Sequence, residues 1–250
     1  MSHPALAPLP TAADVIVLHD RLLGLPGWPA DEPAPLADGA LGGFWRWVQT
    51  NHRFNCRLWA EEDLARRTTV GPAEIAANKR AIDGFNQARN DATERVDEIL
   101  LTALGLVDAA SARTDAPVST VPSGARLNSE TAGSIVDRMS IMALKVHAMR
   151  AQTERSDVDT AHLASSRVKL ERLLQQRADL GACLEELLAD ARAGRAYFKV
   201  YRQFKMYNDP RFNPALVAER AQQAQLAPGL LAAREAPPHA SGGVGESKAR

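Results

Sequence analysis

Phe44-Trp45-Arg46-Trp47-Val48-Gln49-Thr50-Asn51-His52-Arg53-Phe54-Asn55-Cys56-Arg57-Leu58-Trp59-Ala60-Glu61-Glu62-Asp63-Leu64-Ala65-Arg66-Arg67 is the stretch that decides the fold. At about 100° per residue, Phe44, Trp47, Val48, Leu58 and Trp59 fall on one arc. Arg53, Arg57 and Arg67 fall on the opposite side. A 3.6-residue period with a charged back is the mark of a helix that packs by one face. The same arc also carries Asn51, Asn55, Glu62 and Arg66. Polar groups on a packing face are costly unless something pairs with them. The stretch therefore predicts a helix over 41–67 with polar business on its inner side.

Outward from it, the chain continues in the same idiom. Gly71-Pro72 opens a second long helix, with Pro72 suited to its first turn, and the pattern predicts helix over 72–105. Two more long helices are expected over 129–155 and 159–192. Segments of roughly 25–35 residues are roughly 40–50 Å long as helices. With short connections between them, they favour an antiparallel bundle. The predicted fold class is all-α: a long antiparallel helical bundle with short additional helices at both ends. The short helices are Thr11 to Leu25, with Thr11 as N-cap, and one near 214–225. Pro26, Pro29, Pro33 and Pro35 make 26–40 a loop, and 107–127 reads as a Ser/Ala/Pro/Gly linker. Gly194 marks a break, followed by a basic-aromatic helix from Arg195 to about Tyr207. Asn208-Asp209-Pro210 reads as a turn. Strands are expected to be absent. Residues 1–10 and 228–250 read as disordered ends, and 11–227 as a single domain.

The third and fourth helices extend the polar theme. Ile75, Ile82, Thr93, Leu100 and Leu104 share a face with Asn86, Arg89, Asn90 and Asp97. In 129–155, Ile135, Val136, Met139, Met142 and Val146 make one apolar face. Asp137, Ser140, Leu144 and His147 lie on the other side, with Ile141 and Ala148, which predicts burial on both sides. Several polar residues on inward faces have two readings: a pocket built from facing helices, or an ion and amide network that fixes helix register.

Composition narrows the function classes. The 250 residues carry 30 basic and 30 acidic side chains, a formal net charge of zero. That excludes a generally polybasic nucleic-acid binder. No apolar run reaches the roughly 18 residues of a membrane span, and no secretory signal is expected at the N-terminus. Cys56 and Cys183 are too few for a disulfide framework or a four-cysteine zinc site, so a cytoplasmic location is expected. No Gly-rich phosphate loop and no GxSxG elbow occurs. The six histidines show no paired ligand spacing, and Cys56 reads as a buried thiol. Ser140 has no base identifiable from sequence, which speaks against a nucleophilic triad. The segment Arg195–Arg211 reads as an amphipathic helix packed on the bundle, or as a contact for an anionic partner.

Four segments in order carry a family pattern. The first is Leu58-Trp59-x-x-Glu62-Asp63-x-Ala65-Arg66. The second is Lys79-Arg80-x-Ile82-Asp83-x-x-Asn86-Gln87-x-Arg89-Asn90-Asp91. The third is Leu127-Asn128-Ser129-Glu130-Thr131-x-Gly133-Ser134-Ile135-x-Asp137-Arg138-x-Ser140-Ile141. The last is Phe198-Lys199-Val200-Tyr201-Arg202-Gln203-Phe204-Lys205-Met206-Tyr207-Asn208-Asp209-Pro210. Across roughly residues 12–212 the chain closely resembles the bacterial family catalogued as domain of unknown function four-two-five-four. The resemblance implies no activity. It implies a context, because members of the family are encoded near glycosyltransferases of lipopolysaccharide or other surface-glycan assembly. A second family of similar context, domain of unknown function six-one-six-five, looks related. It shares Gly133, Asp137, Arg138, Ser140, Ile141 and Lys145 in one segment, Leu58, Trp59, Glu62, Asp63 and Arg66 in another, and Asn86 and Arg89 in a third. It places the Asp-basic segment first, which implies one spatial unit that tolerates permutation. Glu130 has no counterpart there.

The candidate binding set is Asn51, Asn55, Trp59, Glu62, Arg66, Asn86, Arg89, Asn90, Asp97, Glu130, Asp137 and Lys145. Arginine and lysine suit phosphate or carboxylate, and amides and carboxylates suit sugar hydroxyls. The leading expectation is an accessory protein of bacterial surface-glycan biosynthesis, with an internal polar pocket for a phosphosugar or nucleotide sugar. An enzyme alternative is a metal-dependent phosphohydrolase or pyrophosphatase, with Mg²⁺ on Glu62, Asp97 and Asp137. Glu94-x-x-Asp97 after Glu61-Glu62-Asp63 is faintly similar to all-helical nucleotide pyrophosphatases, although their first Glu-Glu-x-x-Glu motif is incomplete here. A third alternative is a structural adaptor for a glycosyltransferase. A homo-oligomer fits any of the three.

Overall fold

In the computed structural model of the protein, residues 8–37, 41–203, 206 and 209–234 are described. The chain divides into two compact units, one ending at Arg202 and one starting at Gln203. The first unit therefore ends short of the 227 expected from sequence.

The first unit holds five helices. α1 is Ala12–Leu23, α2 Phe44–Leu64, α3 Pro72–Ala103, α4 Ala132–Thr153 and α5 Thr160–Arg192. The all-α class is thus established. Start signals behave as the sequence dictates. Thr11 caps α1 in a reciprocal capping box with Asp14. Pro72 sits in the first turn of α3, Thr131 caps α4 through Ser134 N–H, and Asp159 caps α5 through His162 N–H. Residues 65–71 and 154–159 are short connections, and α2 packs chiefly on α3 and α4 chiefly on α5. These are two antiparallel hairpins. α1 lies against α4, α5 and α2, and α4 also meets α2 and α3.

The core forms where these faces meet. Leu18, Leu22, Phe44, Leu100, Leu101, Ile135, Met139 and Leu184 are all buried in one cluster. α4 is covered on two sides, as its sequence pattern requires: Met139 and Val136 are buried on one, Ser140 and Leu144 on the other.

Three expectations are corrected. Strands do occur: β1, Arg126–Leu127, pairs in parallel with β2, Ala196–Tyr197. The linker 107–127 also folds back on itself through a Val107–Ser119 bridge. Residues 195–203 are not helical. Gly194 at φ +71° ends α5, and Arg126 and Asn128 N–H then donate to the carbonyls of Arg195 and Tyr197 at 2.8 Å. Ala196, Phe198 and Val200 are buried in alternation. That is the period of a strand, and it overrides the amphipathic helix expected from Arg195. Of the remainder of that predicted helix, 204, 205 and 207, with Asn208 of the predicted turn, lie outside the described residues. The second unit contains α6, Pro214–Arg234. It runs beyond the expected 225 and covers the first residues of the stretch read as a disordered tail; 235–250 and 1–7 lie outside the described residues.

Candidate functional site

Asn55, Trp59 and Glu62 recur at helical spacing along α2, and Arg66 follows in the turn that ends it, so they form one stripe. Asn86 and Arg89 are one turn apart on α3, and Ile141 and Leu144 one turn apart on α4. These eight residues, with Leu58 and Asp63, line one cleft of about 320 Å³. Six of the twelve residues expected from sequence are brought together there: Asn55, Trp59, Glu62, Arg66, Asn86 and Arg89. A larger cavity of about 410 Å³ around Trp47 and Ile99 contains none of the twelve.

The cleft is open to the surface at one end and buried at the other. The hairpin end from Trp59 to Arg80 is mostly exposed. Glu62 and Arg66 pair with each other at 3.2 Å in the open, their side chains 49% and 69% exposed. The expected internal pocket is therefore corrected to an open cleft, because the side chains at the tip of the α2–α3 hairpin are exposed. The inner end is closed by Asn55, which is only 4% exposed.

Behind Asn55 lies a connected polar network. Asp137 Oδ1 accepts from Asn51 Nδ2 at 2.8 Å and from Asn55 Nδ2 at 2.9 Å. Arg89 Nε lies 3.9 Å from the same oxygen. Asn51 also donates to Thr93 Oγ1 at 3.1 Å, and Asn55 to Ser140 Oγ at 3.0 Å and Asn51 Oδ1 at 3.2 Å. Asn90 accepts from Arg89 Nη2 at 3.2 Å. Asn51, Asn90 and Asp137 are thus the support of the cleft and not its lining. Arg89 Nε is buried and has no hydrogen-bond partner.

Three expected residues lie elsewhere. Asp97 is buried under the start of α4, where its Oδ1 accepts from Gly133 N–H at 2.6 Å. A carboxylate there complements the helix N-terminus. Burial nevertheless pushes its carboxyl up to about 7, against the hydrogen bonds from Thr131 and Gly133. The helices approach so closely here that a Cβ on Gly133 would stand 2.5 Å from Thr93 O. Glu130 pairs with Arg138 at 2.6 Å, away from the cleft, and Lys145 is exposed and does not line it.

The proposed Mg²⁺ ligands do not converge. Glu62 pairs with Arg66, Asp137 with the two asparagines, and Asp97 with Gly133. Among the described residues no group of three His, Cys, Asp or Glu side chains could hold a metal ion. Each carboxylate already has its own partner on a different helix face.

Sequence reasoning missed the partners of Ser140 and Cys56. His52 Nδ1 stands 2.8 Å from Ser140 Oγ, and His52 Nε2 3.8 Å from Cys56 Sγ. Trp28 Nε1 donates to that sulfur at 3.2 Å, and His19 stacks on His52 with ring centroids 4.5 Å apart. So Ser140 does face a histidine, contrary to expectation. The pair is not the working half of a triad, because His52 turns its other nitrogen to a thiol and not to a carboxylate. Burial drives the imidazole of His52 down to about 3 and that of His19 well below its usual value, and it raises the Cys56 thiol to about 11. Both imidazoles are therefore neutral at neutral pH. The one signal in sequence was spacing: His52 lies one turn before Asn55 and Cys56.

Among the described residues no helix is long and apolar enough to cross a membrane. No curated protein and no solved structure matches the chain. A family model does, over residues 45–200. That span contains α2 except its first residue, α3 to α5, the cleft and the whole network beneath it. The chain belongs to the family described as Protein of unknown function (DUF4254).

Proposed function

We propose that this protein is a cytoplasmic accessory protein of bacterial surface-glycan assembly, whose cleft between α2, α3 and α4 binds a phosphorylated or nucleotide-linked sugar. The observation that carries the reading is the disposition of the two arginines. Arg66 reaches the cleft from the turn that ends α2 and Arg89 from α3, so two guanidinium groups converge on one space. Two guanidinium groups lining one space suit an anionic oxygen best, through charge-assisted hydrogen bonds. Trp59, 37% exposed at the mouth, offers an apolar plate for a sugar ring. Glu62, Asp63 and Asn86 supply hydrogen-bonding groups for hydroxyls. The glycan context comes from the resemblance of the four motifs. The cytoplasmic location is supported by two free cysteines, one of them exposed.

The phosphohydrolase alternative needs carboxylates grouped around one hard cation, and the three candidates are spread over separate partners. The test is native mass spectrometry of the purified protein, followed by thermal-shift titration with sugar phosphates and nucleotide sugars, with and without Mg²⁺. Stabilisation without turnover is the expected result. Stabilisation by Mg²⁺ alone, with hydrolysis, moves the reading to the enzyme. No ligand response, together with copurification of a transferase, moves it to an adaptor.

A further inference from the structure

The amide of Asn55 has both its hydrogens committed inward. Nδ2 donates to Asp137 Oδ1 at 2.9 Å and to Ser140 Oγ at 3.0 Å, with Asn51 Oδ1 alongside at 3.2 Å. An amide is planar, so its carbonyl oxygen points away from its nitrogen. The reverse orientation would set Oδ1 against the Asp137 carboxylate, which repels it. The flip state is therefore fixed by charge. Oδ1 itself makes no hydrogen bond and is not shut off from the surface, although the residue as a whole is 4% exposed. Since Asn55 lines the cleft, the cleft's inner end presents one bare, rigid acceptor.

The support of this acceptor is itself held from behind. Ser140 accepts from Asn55, so its own proton is free to go to His52 Nδ1, 2.8 Å away. His52 stacks on both His19 and Trp28, with ring centroids 4.5 and 5.8 Å apart, which holds its ring plane. Burial keeps it neutral and able to accept. Ser140 and His52 are positioning residues for Asn55.

A fixed acceptor at the closed end, with Arg89 beside it and Arg66 nearer the mouth, asks for a ligand with a hydroxyl next to an anion. The cleft's volume of about 320 Å³ lies at the small end of the usual ligand-pocket range of about 300–1,000 Å³. We infer that the cleft is specific for a monosaccharide monophosphate, with Asn55 Oδ1 reading one sugar hydroxyl and Arg89 and Arg66 holding the phosphate. This rests on the proposed phosphosugar reading and narrows it. It excludes a nucleoside diphosphate sugar as the preferred ligand, because the nucleotide half would hang in solvent.

The experiment is isothermal titration of the full chain with inorganic phosphate, α-D-glucose 1-phosphate, its four monodeoxy analogues and UDP-glucose. Glucose 1-phosphate should bind about tenfold more tightly than phosphate. One monodeoxy analogue should lose about tenfold, the effect of about 1.4 kcal/mol. Asn55→Ala should bring glucose 1-phosphate down to the same level while leaving phosphate within twofold, and Ser140→Ala should fall between. The deoxy series uses only the unaltered protein, so it decides the matter even where a variant fails to fold. If all four deoxy analogues bind like the parent, or UDP-glucose binds best, this inference is overturned while the sugar-binding reading stands. If neither phosphate nor any sugar phosphate binds, both fall.

Discussion

Arg89 of α3 and Asp137 of α4 meet at 3.9 Å, and the arginine is the weaker claimant on that carboxylate. Asn51 and Asn55 hold Asp137 Oδ1 at 2.8 and 2.9 Å. The two ends of the ion pair therefore respond differently to removal.

Arg89→Met leaves Asp137 with two donors. The pair is also partly exposed, which limits its worth to about 1 kcal/mol. The variant should stay folded, with a melting temperature lower by only a few degrees, and should lose binding of sugar phosphates. Asp137→Ala strands two amides and a guanidinium in a semi-buried space. It should cost about 3 kcal/mol, measured by urea denaturation. Equal destabilisation by the two changes would mean that Arg89 is a structural member of the network.

Asp97 predicts a pH dependence with a definite sign. Its folded carboxyl titrates near 7, well above the ordinary carboxyl, because burial penalises the charge. Between about pH 4 and 7 the folded state thus holds a proton that the unfolded state has lost. Stability from this group falls as pH rises through that window and levels off above it. Asp97→Asn removes the titration and keeps an oxygen for Gly133 N–H. The variant should melt higher than the parent at pH 8 and close to it at pH 4. A constant difference across that range would refute the assignment.

The stacked histidines act in the opposite direction. His19 and His52 are held neutral by burial, so below about pH 6.5 the unfolded state takes up protons that the folded state refuses. Their share of stability is lost as pH falls from there toward 3. Both ring nitrogens of His19 are buried without partners, so His19→Phe should keep the stack, drop the unpaired polar atoms and lose less stability on acidification. Melting curves from pH 7.5 to 4.5 would show it as a shallower slope.

Gly133→Ala tests the α3–α4 contact. The new methyl would stand 2.5 Å from a backbone oxygen and 2.9 Å from the Asp97 carboxyl carbon, and neither is the loose end of a side chain. Forced separation of packed helices should cost about 2 kcal/mol or more. A variant as stable as the parent would show that the helices are not so tightly apposed.

Much of the fold was legible in residue order, because it rests on local periodicity and caps. Thr11, Pro72, Thr131 and Asp159 mark helix starts that side chains a few residues away can satisfy. The inward polar stripe was legible too, since Asn51, Asn55, Arg89 and Asp137 stand where apolar residues were due. The segment after Gly194 was misread because its apolar residues satisfy two periods at once. Only pairing with β1 decides for the extended one.

What the sequence determined by itself is the helical class, the chain direction of each hairpin and the inventory of polar groups on inner faces, all consequences of spacing along one backbone. What only the tertiary structure decided is which of those groups share a space. Asp97 and Asp137 sit on comparable faces, yet one caps a helix and the other anchors the cleft. Ser140 and His52, 88 positions apart, become partners only because α4 is wedged against α2. Partnership across helices depends on rotation and axial offset between them, and those are set by packing of the whole core, which no single helix encodes.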